Sequence, residues 1–513
     1  MDGKIRYALC FLILPLLCST STSYAEESNN EIQLSLQDCI SRALESNLNI
    51  RIQRISPEIQ DTFLIKAKGS FDPTASLGSD ISNSQEPSST PALSGADIRT
   101  SESQGINIGL SDPVVTGGQY GLFFNSNRSE SNSTLQTLNP AYRSGLTFSV
   151  NQPLLEGFGI ALNRASITIA SNNKDISLLS LESKLIDTLS AVQDAYWELV
   201  FELENLKVQQ LALKQAQDLL NINKRFKEEG KATISDVLQA QAAVASREAD
   251  VIAGEDAVRD AEDSLKRITN LVENPGFESQ NSEQELYESL WDAAIVPVDL
   301  PSFETLEADL RESIATALAN RPEYAQAKLG LENSDISIKV AKDRRLPILD
   351  LEGSYSLNGL GDGLGDPLSQ VGTADYRSWS LGLALRMPIG ERGTKADLRR
   401  SRYEKEQMLL ALKDLEQQII TEVRGAVRQL ETDGKRIEAT KAAEELARQV
   451  VLTEVKKHGL GLSTSYELLQ FQANLATATK NRLRAVIDYR ESIVAFYKAL
   501  GVTLDMLGIE LKD

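Results

Sequence analysis

The chain is poor in the residues that build compact catalytic or metal centres. Histidine occurs once, at His458, and cysteine three times in 513 residues. A histidine-based metal site, a Cys/His zinc site or a disulfide scaffold is therefore nearly excluded. A catalytic triad would have to use that one histidine, and His458 has no cysteine partner. Positive charge is also in deficit, with 53 basic against 73 acidic side chains and a formal net charge of −20. That balance argues against nucleic acid as a partner, since such a binder shows a basic face. Charged residues make up 25% and hydrophobic ones 41%, so the chain is not globally disordered. Beyond the N-terminus there is no run of about 18 apolar residues, and hence no transmembrane helix to expect. A membrane-crossing β-barrel stays open.

The N-terminus carries Lys4 and Arg6, an apolar run from Tyr7 to Leu17, and Ser23-Tyr24-Ala25. This reads as a secretory signal peptide over 1–25, cut after Ala25. Lys4, Arg6 and Asp2 leave with it, which takes the net charge from −20 to −21. Cys10 and Cys18 leave as well. Cys39 alone remains, so no internal disulfide can form. Cys18 follows Leu16-Leu17, whereas lipid attachment usually wants a small residue before the cysteine.

Two anchors recur in the same order. Leu36, Ile40, Ala43 and Leu44 match Leu310, Ile314, Ala317 and Leu318 at an offset of 274. GKATISDVLQAQA from Gly230 matches GLSTSYELLQFQA from Gly461 at an offset of 231. Ordered anchors of this kind indicate two internal repeats. Each repeat begins with a short amphipathic helix, continues in alternating segments, and ends in a long helix, a Gly-containing turn and a second long helix.

Leu146, Phe148 and Val150 alternate with polar residues, as do Leu349, Leu351, Tyr355 and Leu357, and Trp379, Leu381, Leu383, Leu385 and Met387. Period two makes one face apolar and the other polar. That pattern suits either an ordinary half-buried sheet or tilted membrane strands of about 9–11 residues. Small residues on the polar face, together with export, favour a barrel. The helices are very long. Leu185, Leu189, Val192, Tyr196, Leu199, Leu203 and Leu206 step alternately by four and three, a coiled-coil stripe. Helical character runs from about Leu162 to Glu229 and returns from Ser235 to Asn270. In the second repeat, Leu409, Leu412, Leu415, Ile419, Val423 and Leu430 mark a helix over about 394–457, which returns over 464–500. The first of these would be about 100 Å long, so the helices must stand side by side as a rod or tube.

The order of these parts resembles the TolC-type outer-membrane efflux proteins over nearly all of 32–501. The residues that carry the likeness are Leu36–Asn47 and Leu310–Pro322, Gln152-Pro153-Leu154 and Met387-Pro388-Ile389 before the long helices, and the two Gly turns. The resemblance implies an α+β membrane protein. Its homotrimer would share one transmembrane β-barrel, continued by a periplasmic α-helical barrel with an equatorial belt. It implies the domain plan 26–73 and 305–347 (helices), 74–153 and 348–389 (barrel strands), 154–270 and 390–501 (long hairpins), 271–304 (equatorial linker) and 502–513 (tail). Its partners would be outer-membrane lipids, a periplasmic adaptor protein and an inner-membrane transporter. No catalysis, cofactor or metal is implied. A structural periplasmic coiled-coil spacer is the alternative from another class.

Leu36 to Pro153 spans 117 positions, but Leu310 to Pro388 only 78. The surplus holds two more candidate strands, Gln104–Leu110 and Gln119–Asn127, around an Asp112-Pro113…Gly117-Gly118 turn. We expect six strands per chain and an 18-strand trimeric barrel, or else an extra hairpin, about 104–127, folded over outside or inside a 12-strand one. Residues 83–103, 128–143 and 358–375 are polar and read as external loops. Trp379, Tyr120, Tyr142 and Tyr376 fall near expected membrane interfaces. Gly359–Asp366 hints at a calcium or phosphate loop, but it lacks EF-hand spacing, is not expected to open a helix, and reads as a mobile loop. His458 reads as a helix-end residue. Acidic pairs on the helices read as solvated faces.

The resemblance places the functional positions at the hairpin tips. Gly230, Lys231, Ala232 and Thr233, with Gly461, Leu462, Ser463 and Thr464, would meet the adaptor. Glycine and hydroxyl residues there also suit plain helix-ending turns and caps. Acidic residues of the family's constriction match Glu467 and Gln470, with Asp236 and Gln239 as first-repeat equivalents. Three Glu467 carboxylates would form a cation-attracting ring. The family's tyrosine and arginine locks would fall at His458 and Ser463, so that network is not carried over.

Overall fold

The computed structural model describes residues 31–88, 95–271 and 291–509. The signal segment 1–25, most of the linker 271–304 and the last four positions of the tail lie outside them. The elements run β1 (Glu31–Leu34), α1 (Leu36–Ser46), α2 (Leu48–Lys68), β2 (Thr74–Pro87), β3 (Ile98–Pro113), β4 (Gln119–Ser131), β5 (Ala141–Pro153), α3 (Ile160–Asn163), α4 (Ala165–Glu228) and α5 (Ile234–Thr269). They continue as β6 (Ala294–Pro297), α6 (Leu310–Asn320), α7 (Pro322–Asp343), β7 (Ile348–Gly361), α8 (Gly365–Thr373), β8 (Tyr376–Arg386), α9 (Arg392–Gly459), α10 (Ser465–Leu500) and α11 (Thr503–Met506).

Six strands form one antiparallel sheet in the order β2-β3-β4-β5-β7-β8. The surplus of the first half therefore lies within the sheet: β3 and β4 are its second and third strands. They are longer than the sequence pattern suggested because polar Ser, Asn and Glu residues continue the ladder past the last apolar position. Three corrections follow at one end. The loop expected over 358–375 is strand up to Gly361 and then helix α8. The Gly-rich stretch 359–366 thus does run into a helix, which starts at Gly365. The loops expected at 83–103 and 128–143 are likewise shorter than their polar composition implied.

The register sorts most of the side chains, with Phe123 and Leu360 as apolar exceptions on the polar face. Leu77, Ile81, Ile106, Ile108, Leu110, Leu122, Phe124, Leu146, Phe148, Val150, Leu349, Leu351, Tyr355, Leu357, Leu381, Leu383 and Leu385 share one face. The other carries Ser76, Asp80, Asn107, Asn125, Thr147, Ser149, Ser354, Ser356, Ser378 and Ser380. The polar face is laced by hydroxyl and amide contacts, including Thr147–Ser356 at 2.9 Å and Ser354–Ser380 at 2.8 Å. Apart from its margin at Gly359 and Gly361, the apolar face has no protein cover: Leu77, Trp379, Leu381, Leu383 and Leu385 are each 68–78% exposed.

The long helices α4 and α9 have 64 and 68 residues, and their partners α5 and α10 have 36 each. They pack in the lateral order α9-α10-α4-α5. No proline interrupts them, so the i→i−4 ladder continues unbroken. The stripe Leu185–Leu199 is buried beneath the short α1 and the parallel β1–β6 pair, together with Leu34, Cys39, Ile40, Ala43 and Ile295. The heptad spacing therefore serves a belt of short elements as much as a coiled-coil seam. In the second stripe Ile419, Val423 and Leu430 are buried with Ala317 of α6, while Leu409 is exposed. Each long hairpin carries a buried tyrosine that pins the chain entering its short helix. The Tyr196 hydroxyl donates to the Asp299 carboxylate (3.0 Å), which also accepts the Leu36 N–H (2.7 Å). The Tyr489 hydroxyl donates to the Glu304 carbonyl and accepts the Leu306 N–H, both at 2.9 Å. Among the described residues no helix is long and apolar enough to cross a membrane.

Candidate functional site

The two hairpin tips are built by the same bonds. After α4, the Gly230 N–H donates to Lys227 O (3.0 Å) and the Lys231 N–H to Phe226 O (2.7 Å). After α9, the Gly461 N–H donates to His458 O (3.0 Å) and the Leu462 N–H to Lys457 O (2.9 Å). This is the Schellman closure, which needs a residue of positive φ at its centre; Gly230 and Gly461 have φ of 73° and 74°. Three residues after these glycines, Thr233 and Thr464 cap the return helices. Each forms a capping box with the acid three positions on, Asp236 and Glu467.

The expected constriction acids are therefore engaged. The Asp236 carboxylate accepts the Thr233 N–H (2.8 Å) and hydroxyl (2.7 Å). The Glu467 carboxylate accepts the Thr464 N–H (3.0 Å) and hydroxyl (3.1 Å) and the Ser463 hydroxyl (3.2 Å). These donors stabilise the anions and hold both carboxyls below their usual range, the backbone N–H being the main cause. Glu467 is exposed and Asp236 half-buried. Gln470 is exposed and donates to Asn474 (3.2 Å), and Gln239 is exposed one turn beyond Asp236. Lys231 pairs with Glu229 at 2.7 Å, and Leu462 is 74% exposed. Ala232, Thr233, Ser463 and Thr464 complete the two turns.

Sequence reasoning missed what joins the tips. Buried Asn223 donates to the Asp236 carbonyl (3.3 Å) and accepts the Ser465 hydroxyl (3.0 Å), which in turn lies 3.2 Å from His458 Nε2. A polar chain thus ties α4, α5, α9 and α10 together below an open cavity of about 500 Å3, lined by Leu219, Ile222, Phe226, Val455 and Leu468. The signal was there: Asn223 interrupts the apolar series Ala216, Leu219, Phe226 at a seam position, where a polar residue fixes register.

Higher up, all four long helices line one concavity of about 710 Å3, on the face away from the belt. Asp194, Glu198, Asp433, Asp488 and Glu491 line it, with Arg267. These were read as solvated faces. Arg484 pairs with Glu198, with Asp488 (2.5 Å) and with Glu491 (3.1 Å), and Arg436 pairs with Asp488 (2.5 Å). Desolvation between the helices pushes Glu491 up to about 7 against the pull of Arg484, with Glu198, Asp194 and Asp488 adding to the rise. Desolvation likewise pushes Asp194 up to about 6 against the pull of Lys498. Among the described residues no cluster of three His, Cys, Asp or Glu could hold a metal ion. His458 lies in the last turn of α9, as a helix-end residue.

A sheet with one bare apolar face, continued by a layer of very long helical hairpins, defines the class of outer-membrane channels with a helical extension. Solved structures share this fold. The Campylobacter jejuni outer membrane channel CmeC is 17% identical, with a TM-score of 0.65 over 93% of this chain and 87% of that one. VceC of Vibrio cholerae is 16% identical, with a TM-score of 0.63 over 91% and 96%. The sequence pattern described as "Outer membrane efflux protein" matches residues 119–271 and 313–502, and the chain belongs to that family. Curated relatives include nodulation protein T of Rhizobium leguminosarum bv. trifolii, 23% identical over 330 residues (64% of this chain and 66% of that one). The pyoverdine export outer membrane protein OpmQ of Pseudomonas putida is 24% identical over 354 residues (66% and 67%). The alkaline protease secretion protein AprF of Pseudomonas aeruginosa is 24% identical over 370 residues (71% and 71%). The chain thus spans about two thirds of the length of the curated relatives it matches.

Proposed function

We propose that three copies of this exported chain close one 18-strand barrel in the outer membrane and serve as the exit duct of a tripartite efflux or type I secretion system. The observation that carries this reading is the sheet. Its apolar face is uncovered across six strands, and its outer strands β2 and β8 are each paired on one side only. A bare apolar face of this extent is unstable in water, and open edges invite pairing. Joining β8 of one copy to β2 of the next removes the edges, and lipid covers the face. The polar face then wets the lumen.

The helical layer continues the lumen into the periplasm, with the concavity of Asp194, Glu198 and Glu491 on the inner wall and the belt of α1, α6 and β1–β6 outside. The tips close the far end. Glu467, with Asp236 as its counterpart, supplies a ring of carboxylates kept ionised by the helix caps. The exposed Lys231 and Leu462 are contact points for a periplasmic adaptor, which links the duct to an inner-membrane transporter. The duct itself makes and breaks no covalent bond.

Purified mature protein, inserted into planar bilayers, is expected to conduct and to run as a trimer that heating dissociates. It should fractionate with the outer membrane. Release without detergent, as a monomer that never conducts, would overturn the reading.

A further inference from the structure

Helix α8, between β7 and β8, lies on a definite side of the sheet, and two glycines fix which. Gly359 and Gly361 continue the alternation of Tyr355 and Leu357, so they belong to the apolar face. A Cβ on Gly359 would lie 2.2 Å from the Pro367 carbonyl oxygen, and one on Gly361 would lie 2.5 Å from Asp366 Cβ. The helix therefore rests against the apolar face, where only glycine leaves room for it. Gln370 locks it there. Its side chain accepts the Leu360 N–H (2.9 Å) and donates to the Leu360 carbonyl (3.1 Å). It replaces the strand partner lost because β8 reaches only Tyr376, opposite Asn358.

The level of the helix is equally defined. Beside it on the same face stand Tyr142 and Ser144, the partners of Gly361 and Gly359, and further along the row Arg128 and Ser126. One pair down, the apolar band begins with Leu146 opposite Leu357. Thus α8 lies where the apolar band of the sheet gives way to polar side chains. At 100° per residue, Leu364, Leu368 and Val371 follow one flank, and Asp366, Ser369, Gln370 and Thr373 follow the other. Leu364 and Leu368 are 52% and 41% exposed, uncovered by protein.

The geometry points to α8 as an in-plane membrane anchor, whose Leu364–Leu368–Val371 flank seats in the boundary between acyl chains and headgroups of the outer leaflet. Its occupant is lipid, because the flank turns away from the strands, is uncovered by protein, and lies at the outer margin of the exposed apolar strand face. Amphipathic helices of this kind bind by burying one apolar side into that boundary. The inference rests on the barrel reading above.

The test uses the full-length trimer in vesicles of phosphatidylethanolamine, phosphatidylglycerol and lipopolysaccharide. Nitroxides are placed singly by Leu368→Cys, Ser369→Cys and Leu383→Cys. Cys39, the cysteine left after processing, is fully buried, so the label goes to the introduced site. Relative accessibility to oxygen over an aqueous nickel chelate is expected to be several-fold higher at 368 than at 369, and high at 383. A high ratio at 383 with a low, water-like ratio at 368 overturns the anchor and leaves the barrel standing. Shielding of 368 from both quenchers would mean a protein neighbour instead of lipid, and also overturns it. A water-like ratio at 383 rejects the barrel reading itself.

Discussion

The sheet and the helical body use the same apolar residues in opposite ways. Around α4 and α9, Leu185, Leu189, Val192, Tyr196, Ile419 and Val423 are buried to 1% exposure or less. On β8, Leu381, Leu383 and Leu385 are about 70% exposed. Both regions are strictly patterned, one with a helical period and one with period two, so the contrast is not one of order. It teaches that pattern fixes which residues share a face, while the solvent opposite that face decides whether burial or exposure is stable. The sharpest way to break this comparison is to disturb one leucine in each region. Leu189→Ala removes a fully buried side chain and should cost about 2–5 kcal/mol, read as a lowered urea midpoint of the helical body. Leu383→Arg should cost about 2–4 kcal/mol if the face meets lipid, and should appear as loss of the heat-dissociable trimer from the outer membrane. If Leu383→Arg is tolerated while Leu189→Ala is not, the exposed face meets water and the two regions do not differ in solvent.

The sequence disclosed these two regions unequally. Strand faces were readable because alternation survives in single strands: Leu381, Leu383 and Leu385 name the face without knowledge of the neighbours. The helices were readable from Leu185 to Leu206 for the same reason. What the stripe packs against was not, because a 4-3 spacing is identical whether the partner is another long helix or the short α1. The tip turns were legible to the residue, since a positive φ demands Gly230 and Gly461. Asn223, by contrast, reaches Ser465 across 242 positions, and local pattern does not encode that contact. The charged concavity was hidden for a related reason: Asp194 and Glu491 look solvated until four helices are set side by side. Helix α8 was misread because Gly-rich composition signals a loop, whereas here the glycines of β7 make room for a helix packed on them.

The two tips offer a finer comparison, as nearly equal turns with different surroundings. Gly461→Ala places a Cβ at a φ of 74° and should destabilise its turn by about 1 kcal/mol, with Gly230→Ala matching it. Thr464→Ala removes the cap hydroxyl that also holds Glu467, at a cost of about 1 kcal/mol. Hydrogen exchange of the first turn of α10 should speed up several-fold in Thr464→Ala and leave α5 unchanged. Equal acceleration at both tips would mean that Asn223 couples them into one opening unit.

The smallest effect concerns protons, and here the concavity and the tips should respond with opposite sign. Asp236 and Glu467 have lowered folded values, so their contribution is present above the unfolded carboxyl range and fades only as pH falls through the lower folded one. Glu491 and Asp194 have raised values, about 7 and about 6. Holding them ionised costs the folded state at pH 8, and that cost is relieved as pH falls through those values toward the ordinary carboxyl range. Acidification from pH 8 to 5 therefore removes up to two negative charges per chain from the concavity while leaving the tip carboxylates charged. Cation preference measured from reversal potentials in bilayers should decline gradually over that window. Glu491→Gln should flatten the part of the curve near neutrality, and Glu467→Ala should lower cation block without moving the curve along the pH axis. A wild-type curve that stays flat from pH 8 to 5 would mean that Glu491 and Asp194 do not set the cation preference, and a midpoint that moves with Glu467 instead of Glu491 would place the titrating charge at the tips.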